Sequence, residues 1–414
     1  MTHPASPLPG DICDLAIIGA GPTGASLALA AAQAGFSVTL IDARDPAKTR
    51  PDGRNFAVVR GSWNLLQSIG ITGDLDGATQ ALNGLEATDV GRHWFGAPSA
   101  LFTTDDLPPS PDGTSLGYMV EAPGLQAALD AALARETSIN WVKNTKFEAL
   151  TVSLGHASLK LDTGQTIHTR LIAGCDGVNS PVRRAANIPV EGREYGKSVF
   201  AANVTLSRPH HGIARQLFTP EGPFATLPLQ GNRANLAWYM KSGAAETLAA
   251  LPPGDINTEL NNRFASFSGE MALDGPAIAY PLILKIADVM VKERVALVGD
   301  AARRINPLAG QGLNLGFKDV AALVEIIEDG RHTGRDFGSM TVLEAYQVWR
   351  RFDANATALA LDGVDRVFSN DSAILKPVRG LALLAAGKLS PLRKLMARQA
   401  SADQSSLPSR MKAP

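Results

Sequence analysis

Apolar positions in residues 14–42 form a short run, a glycine-rich turn, an alanine-rich stretch and a second run that stops at an acid. This order predicts strand, turn, helix and strand, because Leu15 to Ile18 is continuously apolar, as suits a parallel strand buried on both faces. Residues 156–177 change to alternation: a hairpin around Asp162-Thr163-Gly164, then an apolar strand running into Gly174-Cys175-Asp176-Gly177. Residues 294–316 return to the first pattern. An apolar strand from Val295 to Val298 leads to Gly299-Asp300, a loop with Pro307, Gly310 and Gly312, and a helix from about Leu313. Between these two regions the runs SVFAANVTL, ATLPL and NLAWYM predict a separate sheet.

The first turn carries chemistry. Gly19, Gly21 and Gly24, with Pro22 and Thr23 between them, complete a G-x-G-x-x-G spacing where a helix begins. Gly19 permits the tight turn, Gly21 lets the backbone approach a pyrophosphate, and Gly24 lets the helix lie on the strand. The unpaired N–H groups of the helix N-terminus then face the phosphates. Asp42, followed by Ala43, closes the second strand 18 residues after Gly24, where a carboxylate accepts hydrogen bonds from both ribose hydroxyls. A ribose is favoured over a 2′-phosphate, and the motif alone leaves NAD and FAD both open. The strand that ends at Gly299-Asp300 predicts a second strand-to-helix anion site.

Composition narrows the classes. With 414 residues the chain can bury a large core in two or three units, and 39 Lys+Arg against 40 Asp+Glu leave a formal charge of −1. No whole-protein field recruits nucleic acid, so partners belong to local sites. Cys13 and Cys175 have no metal-ligand spacing and fit buried strand positions in a reducing compartment, and the seven His form no cluster, so no metal site is expected. No run of 18 apolar residues and no basic leader appears, which points to a cytoplasmic protein. Residues 373–398 alternate apolar runs with Lys376, Arg379, Lys388, Arg393, Lys394 and Arg398. That pattern suits a helix packed on the fold, or one peripheral to the inner membrane or a biosynthetic complex. The tail 401–414 is expected to be disordered, and Asp105-Asp106 to be a solvated pair.

The glycine motif, CDGVNSPVRR and GDAARRINPLAGQGLNLGFKDV, in that order and separation, resemble the three fingerprints of the flavoprotein aromatic hydroxylases, the para-hydroxybenzoate hydroxylase class. The last string is more similar still to the ubiquinone-biosynthesis branch, and the resemblance extends over most of residues 12–396. It implies an α/β fold: a Rossmann-like FAD-binding domain (1–75, 110–189 and 290–335), an inserted mixed β-sheet substrate domain (76–109 and 190–289) and a C-terminal helical region (336–400). It implies FAD as cofactor, O2 as co-substrate, NAD(P)H or a protein donor as reductant, and hydroxylation of a phenolic ring through a flavin C4a-hydroperoxide. The substrate it implies is a hydrophobic, polyprenylated ubiquinone precursor. The open alternatives are another substrate, a reductase of the same fold, or a catalytically silent FAD-binding scaffold subunit.

Residue by residue, the resemblance places Gly19, Gly21 and Gly24 on the FAD pyrophosphate, Asp42 on its ribose, and Arg54 and Glu121 close to the flavin. By the same resemblance Asp176 and Gly177 belong to a motif associated with both FAD and the pyridine nucleotide, and Asp300, after Gly299, would hold the ribityl chain. Pro307 positions the flavin face, and Gly310, Gly312, Leu313 and Asn314 run past the isoalloxazine. The chain departs from the pattern at Arg303-Arg304, where the family usually has His after GDAA, and at Asn55 to Arg60, where a small Ser-containing run is usual. Phe224, Trp238 and Tyr239 are candidate pocket walls, with core filling as the alternative.

Overall fold

The computed structural model describes residues 12–48, 53–75, 77–90, 98–106, 115–305, 311–351 and 407–412. Pro307, Gly310 and the basic segment 373–398 lie outside the described residues. Within them the architecture is mixed α/β with three sheets.

One sheet has Ile12–Ile18 at its centre. Thr166–Gly174 and Val38–Ile41 flank it in parallel, and Val295–Leu297 and Ile139–Val142 continue the parallel set outward. Leu15, Ala16 and Ile17 are completely buried, which accounts for the unbroken apolar run. The helix Pro22–Gln33 is buried from Gly24 to Ala31. It is alanine-rich because it is enclosed, with the helices Ala122–Arg135 and Gln311–His332 both packed against it. The hairpin at Asp162-Thr163-Gly164 forms between His156–Leu161 and Thr166–Gly174.

A second sheet has nine strands among the described residues. It is built on the long strand Val190–Leu206, which pairs with Arg233–Lys241 on one side and Ile278–Ala287 on the other. Gly222–Leu229, Ile213–Thr219, Gly84–Asp89 and Ser99–Thr103 follow in order. At the opposite edge the two-residue strand Arg303–Arg304 pairs with Lys285 and Ile286, so residues directly after Gly299-Asp300 belong to this sheet. A third, three-stranded sheet (Asn55–Val59, Gly117–Glu121, Thr79–Leu82) is interleaved in the chain with strands of the other two.

The strand period separates two faces of the nine-stranded sheet. Phe200, Phe224 and Trp238 share one face with the helix Pro253–Ser268, and Phe224 stacks on Phe264 with centroids 3.6 Å apart. These two aromatic candidates are therefore core, not pocket wall. Tyr239 is on the other face with Val199, Tyr280 and Leu282. Two further expectations are corrected. In the tail, Leu407 and Met411 are buried in the core of the first sheet, where a 3-10 turn at Ser409–Met411 docks on the helices Arg60–Ser68 and Gln311–His332. An apolar pair four residues apart supplies the burial that the polar composition hid. Asp106 is buried and accepts the N–H of Thr103 at 3.2 Å, so it is no solvated acid.

Candidate functional site

Four adjacent parallel strands end at one edge of the first sheet. There they deliver Gly299-Asp300, Cys175-Asp176, Gly19 and Asp42 side by side. This is where an open α/β sheet takes a ligand, outside the carboxyl ends of its strands. The junctions are sealed by backbone hydrogen bonds from Gly19 N to Ile41 O (2.8 Å), Cys175 N to Ile18 O (2.8 Å) and Val298 N to Gly174 O (3.0 Å).

The glycines divide their work as their spacing predicts. Gly19 has φ +101°, and a Cβ there would lie 2.7 Å from the Cys175 carbonyl oxygen. A Cβ on Gly24 would stand 1.8 Å from the Gly19 carbonyl oxygen, so only glycine lets the helix sit this low. Around Gly21 nothing lies within 4 Å of that position, so its backbone faces open space. Gly21 is also the N-cap, with no side chain capping the helix, and Pro22 follows at the first turn. Thr23 fills the gap between Gly299 and Gly316, and Gly177 turns at φ +81°.

In front of this cradle lies a cavity of about 1080 Å³, lined by Gly19 to Pro22, Asp42 to Arg44, Asp176 and Gly177. Asp42 Oδ1 accepts the Arg44 N–H at 3.1 Å, and its Oδ2 accepts Arg44 Nε at 3.2 Å. The Arg44 guanidinium is bidentate to Asp130 at 2.7 Å and 2.7 Å, an attachment that raises its pKa above the ordinary arginine value. Arg44 and Asp130 did not stand out in the sequence. They are 86 residues apart, and only the fold brings them together.

Asp176 Oδ2 accepts the Val182 N–H at 2.9 Å, whereas its Oδ1 is buried with no hydrogen-bond partner. Burial pushes its carboxyl above the usual range, against hydrogen bonds from Ser180 and Val182. Asp300 is exposed at the end of its strand. Desolvation by the protein on its inner side raises its pKa, while Arg304, Arg54 and Arg303 pull it back. Tyr280 is raised by desolvation and held back by the same Arg304 and Arg54, so those two cations lie within electrostatic reach of both Asp300 and the nine-stranded sheet's Tyr280.

Other sequence candidates are committed to protein contacts. Glu121 pairs with Arg233 at 2.9 Å, and Arg233 with Asp274 at 2.6 Å, linking the small sheet to the nine-stranded one. Asn314 is buried; its Oδ1 accepts the Val59 N–H at 3.1 Å and its Nδ2 donates to Ala57 O at 2.7 Å. That clamp fixes the start of the helix Gln311–His332, where Gly312 faces open space and Leu313 packs on the core. Asn55, at the first departure from the family pattern, donates to Asn203 Oδ1 at 2.9 Å and so meets the inner face of the nine-stranded sheet. Arg54 lies over the Phe56 ring at 5.7 Å, and Ala43 is exposed at the cavity rim. Among the described residues no His/Cys/Asp/Glu group could hold a metal.

These features suit FAD: an uncapped helix N-terminus, a glycine with open space before it, an acid at the end of the second strand on the cavity wall and a buried carboxylate oxygen lacking a partner. A family described as "FAD binding domain" matches residues 12–358. The chain belongs to this FAD-binding family. A ubiquinone hydroxylase (UbiL) of Rhodospirillum rubrum is 36% identical over 96% of this chain and 92% of its own length. The 3-demethoxyubiquinol 3-hydroxylase of Escherichia coli is 34% identical over 92% of this chain and 96% of its own. In fold, the p-nitrophenol 4-monooxygenase PnpA of Pseudomonas putida superposes with a TM-score of 0.75 at 19% identity, covering 94% of this chain and 97% of that one. The protein is an FAD-dependent aromatic monooxygenase that uses O2. Within this family Arg303, in place of the usual His, is buried and paired with Asp319 on the helix Gln311–His332, which the sequence alone did not reveal. No helix of the described residues is long and apolar enough to cross a membrane.

Proposed function

We propose that this protein hydroxylates the ring of a polyprenylated phenol on the way to ubiquinone, with NAD(P)H as reductant. The observation that carries this reading is the pair of relatives named for ubiquinone-pathway hydroxylation, each matched over more than nine-tenths of both chains. Bound FAD supplies the redox and oxygen-activating chemistry. The chain's own groups bind and orient. Gly19, Gly21 and the N-terminus of the helix Pro22–Gln33 would take the pyrophosphate, Asp42 the adenosine ribose and Asp300 the ribityl hydroxyls. Asp176 Oδ1, lacking a partner in the protein, would accept a further donor. Arg54 and Arg304 would offset negative charge developing between the flavin ring and the phenol, as preorganised cations do where water is excluded. Tyr280, Ala237 and Ala201 on the inner face of the nine-stranded sheet would bound the ring. A prenyl chain adds about 0.8 kcal/mol per buried CH₂, so the head group needs only orientation.

Deletion of the gene, followed by mass spectrometry of the quinone pool, tests the reading. A prenylated phenol lacking one hydroxyl is expected to accumulate. Normal ubiquinone in a strain without a redundant hydroxylase overturns the substrate assignment and leaves the FAD monooxygenase intact.

A further inference from the structure

Asp319 is completely buried, and its two oxygens accept three N–H groups, two from the 299–303 turn and one from Arg350. Oδ2 takes the backbone N–H of Gly299 at 3.0 Å. Oδ1 takes Arg303 Nη2 at 2.6 Å and Arg350 Nε at 2.7 Å. Neither arginine side chain is more than 4% exposed. A buried ion cluster is a poor source of stability, because desolvating its members offsets their attraction; what such a cluster supplies is fixed geometry. Here the geometry lies directly behind the cofactor turn. Gly299, at φ +64°, precedes Asp300, and Arg303 precedes Arg304, whose strand pairs with Ile278–Ala287. The turn is thus held at both ends by one carboxylate, and the side chains it carries, Asp300 and Arg304, lie within electrostatic reach of each other and of Arg54 on the cavity wall.

We propose that Asp319, gripped by Arg303 and Arg350, is a positioning residue for flavin binding: it fixes the Gly299-Asp300 turn so that Asp300 meets the ribityl chain while Arg304 stays against the nine-stranded sheet. The inference goes beyond the substrate reading and rests only on FAD being the cofactor. Arg303 is part of the device and not a tolerated departure, since its planar fork reaches Asp319 Oδ1 while its Nη1 lies 3.4 Å from Met290 Sδ.

The test is titration of apoprotein with FAD, followed by flavin fluorescence quenching, together with the visible circular dichroism of the bound flavin and the melting temperature of the apoprotein. For Asp319→Asn we expect FAD binding at least tenfold weaker and a changed visible dichroism band. Arg303→Lys, which keeps the charge but loses the fork, should fold and show a smaller change in the same direction. Wild-type affinity and dichroism in Arg303→Lys overturn the proposal. So does an Asp319→Asn protein that melts lower but binds FAD with the wild-type constant and spectrum, because that pattern is purely structural. Wild-type apoprotein that takes up no FAD is a separate failure, of the cofactor reading itself.

Discussion

Asp42 is bonded to Arg44 in the protein and is proposed to hold the ribose, and that makes its substitution informative. Losing a bidentate acceptor for ribose costs about 1.5–3 kcal/mol of binding, so Asp42→Ala is expected to raise the FAD dissociation constant roughly 10- to 150-fold. Arg44 keeps its bidentate hold on Asp130, so the apoprotein's melting temperature should hardly move. Arg44→Ala is the contrasting case. It removes the cation that Asp42 and Asp130 share, and calorimetry should record a larger stability loss than for Asp42→Ala. Asp176 gives a pH-dependent prediction. Its folded pKa is raised by burial, so its ionised form is disfavoured in the fold. Its contribution is fully present below the ordinary carboxylate pKa of about 3.9 and is lost as pH rises through the folded value. The melting temperature of apo Asp176→Asn relative to wild type should therefore climb from pH 4 upward and then level off. A constant difference would mean that Asp176 titrates normally. The glycines and terminal acids of this site were legible in sequence because turn chemistry is local. The Arg44–Asp130 and Arg303–Asp319–Arg350 contacts were not, because nothing in residue spacing says which distant groups will meet.

At the scale of elements, the helix Pro22–Gln33 has no slack against the turn before it. A methyl on Gly24 would need to occupy space 1.8 Å from a backbone oxygen, so the helix must lift. Overpacking of this kind costs about 1–3 kcal/mol. Gly24→Ala should lower stability by that order in denaturant melts and weaken FAD binding, whereas Gly21→Ala, with open space, should leave the fold stable while obstructing the pyrophosphate. Equal stability losses in the two variants would contradict this division of roles. The runs SVFAANVTL, ATLPL and NLAWYM announced three strands of the nine-stranded sheet, but such a run does not say which of its faces is core. Trp238 and Tyr239 are neighbours in sequence, and only the packing of Phe264 against Phe224 decides which face is core. The helix from about Leu313 was readable from its apolar period; that Asn314 spends its amide clamping Ala57 and Val59 was not.

For the whole molecule, the polar tail had hidden a tether. Met411 is fully buried, Asn64 Nδ2 donates to its carbonyl at 3.1 Å, and Glu325 accepts the Ser409 N–H at 2.7 Å. Met411→Ala is expected to destabilise the protein by about 2–5 kcal/mol, the cost of a core methionine truncation. A melting curve that does not shift would show that the anchor is dispensable.

The two-residue strand Arg303–Arg304 also decides how this protein can be recombined. The nine-stranded sheet takes an edge strand from the cofactor fingerprint, so the two units are not separable cassettes. A chimera in which a relative's residues 190–287 are grafted onto this chain would face a foreign edge, with mismatched twist and side chains, within four residues of Asp300. One whose crossover falls after Ile305 inherits sheet and edge together. Of two such libraries, the second should hold the larger share of flavin-loaded proteins, and exchange of ring specificity between relatives should require moving the fingerprint along with the sheet.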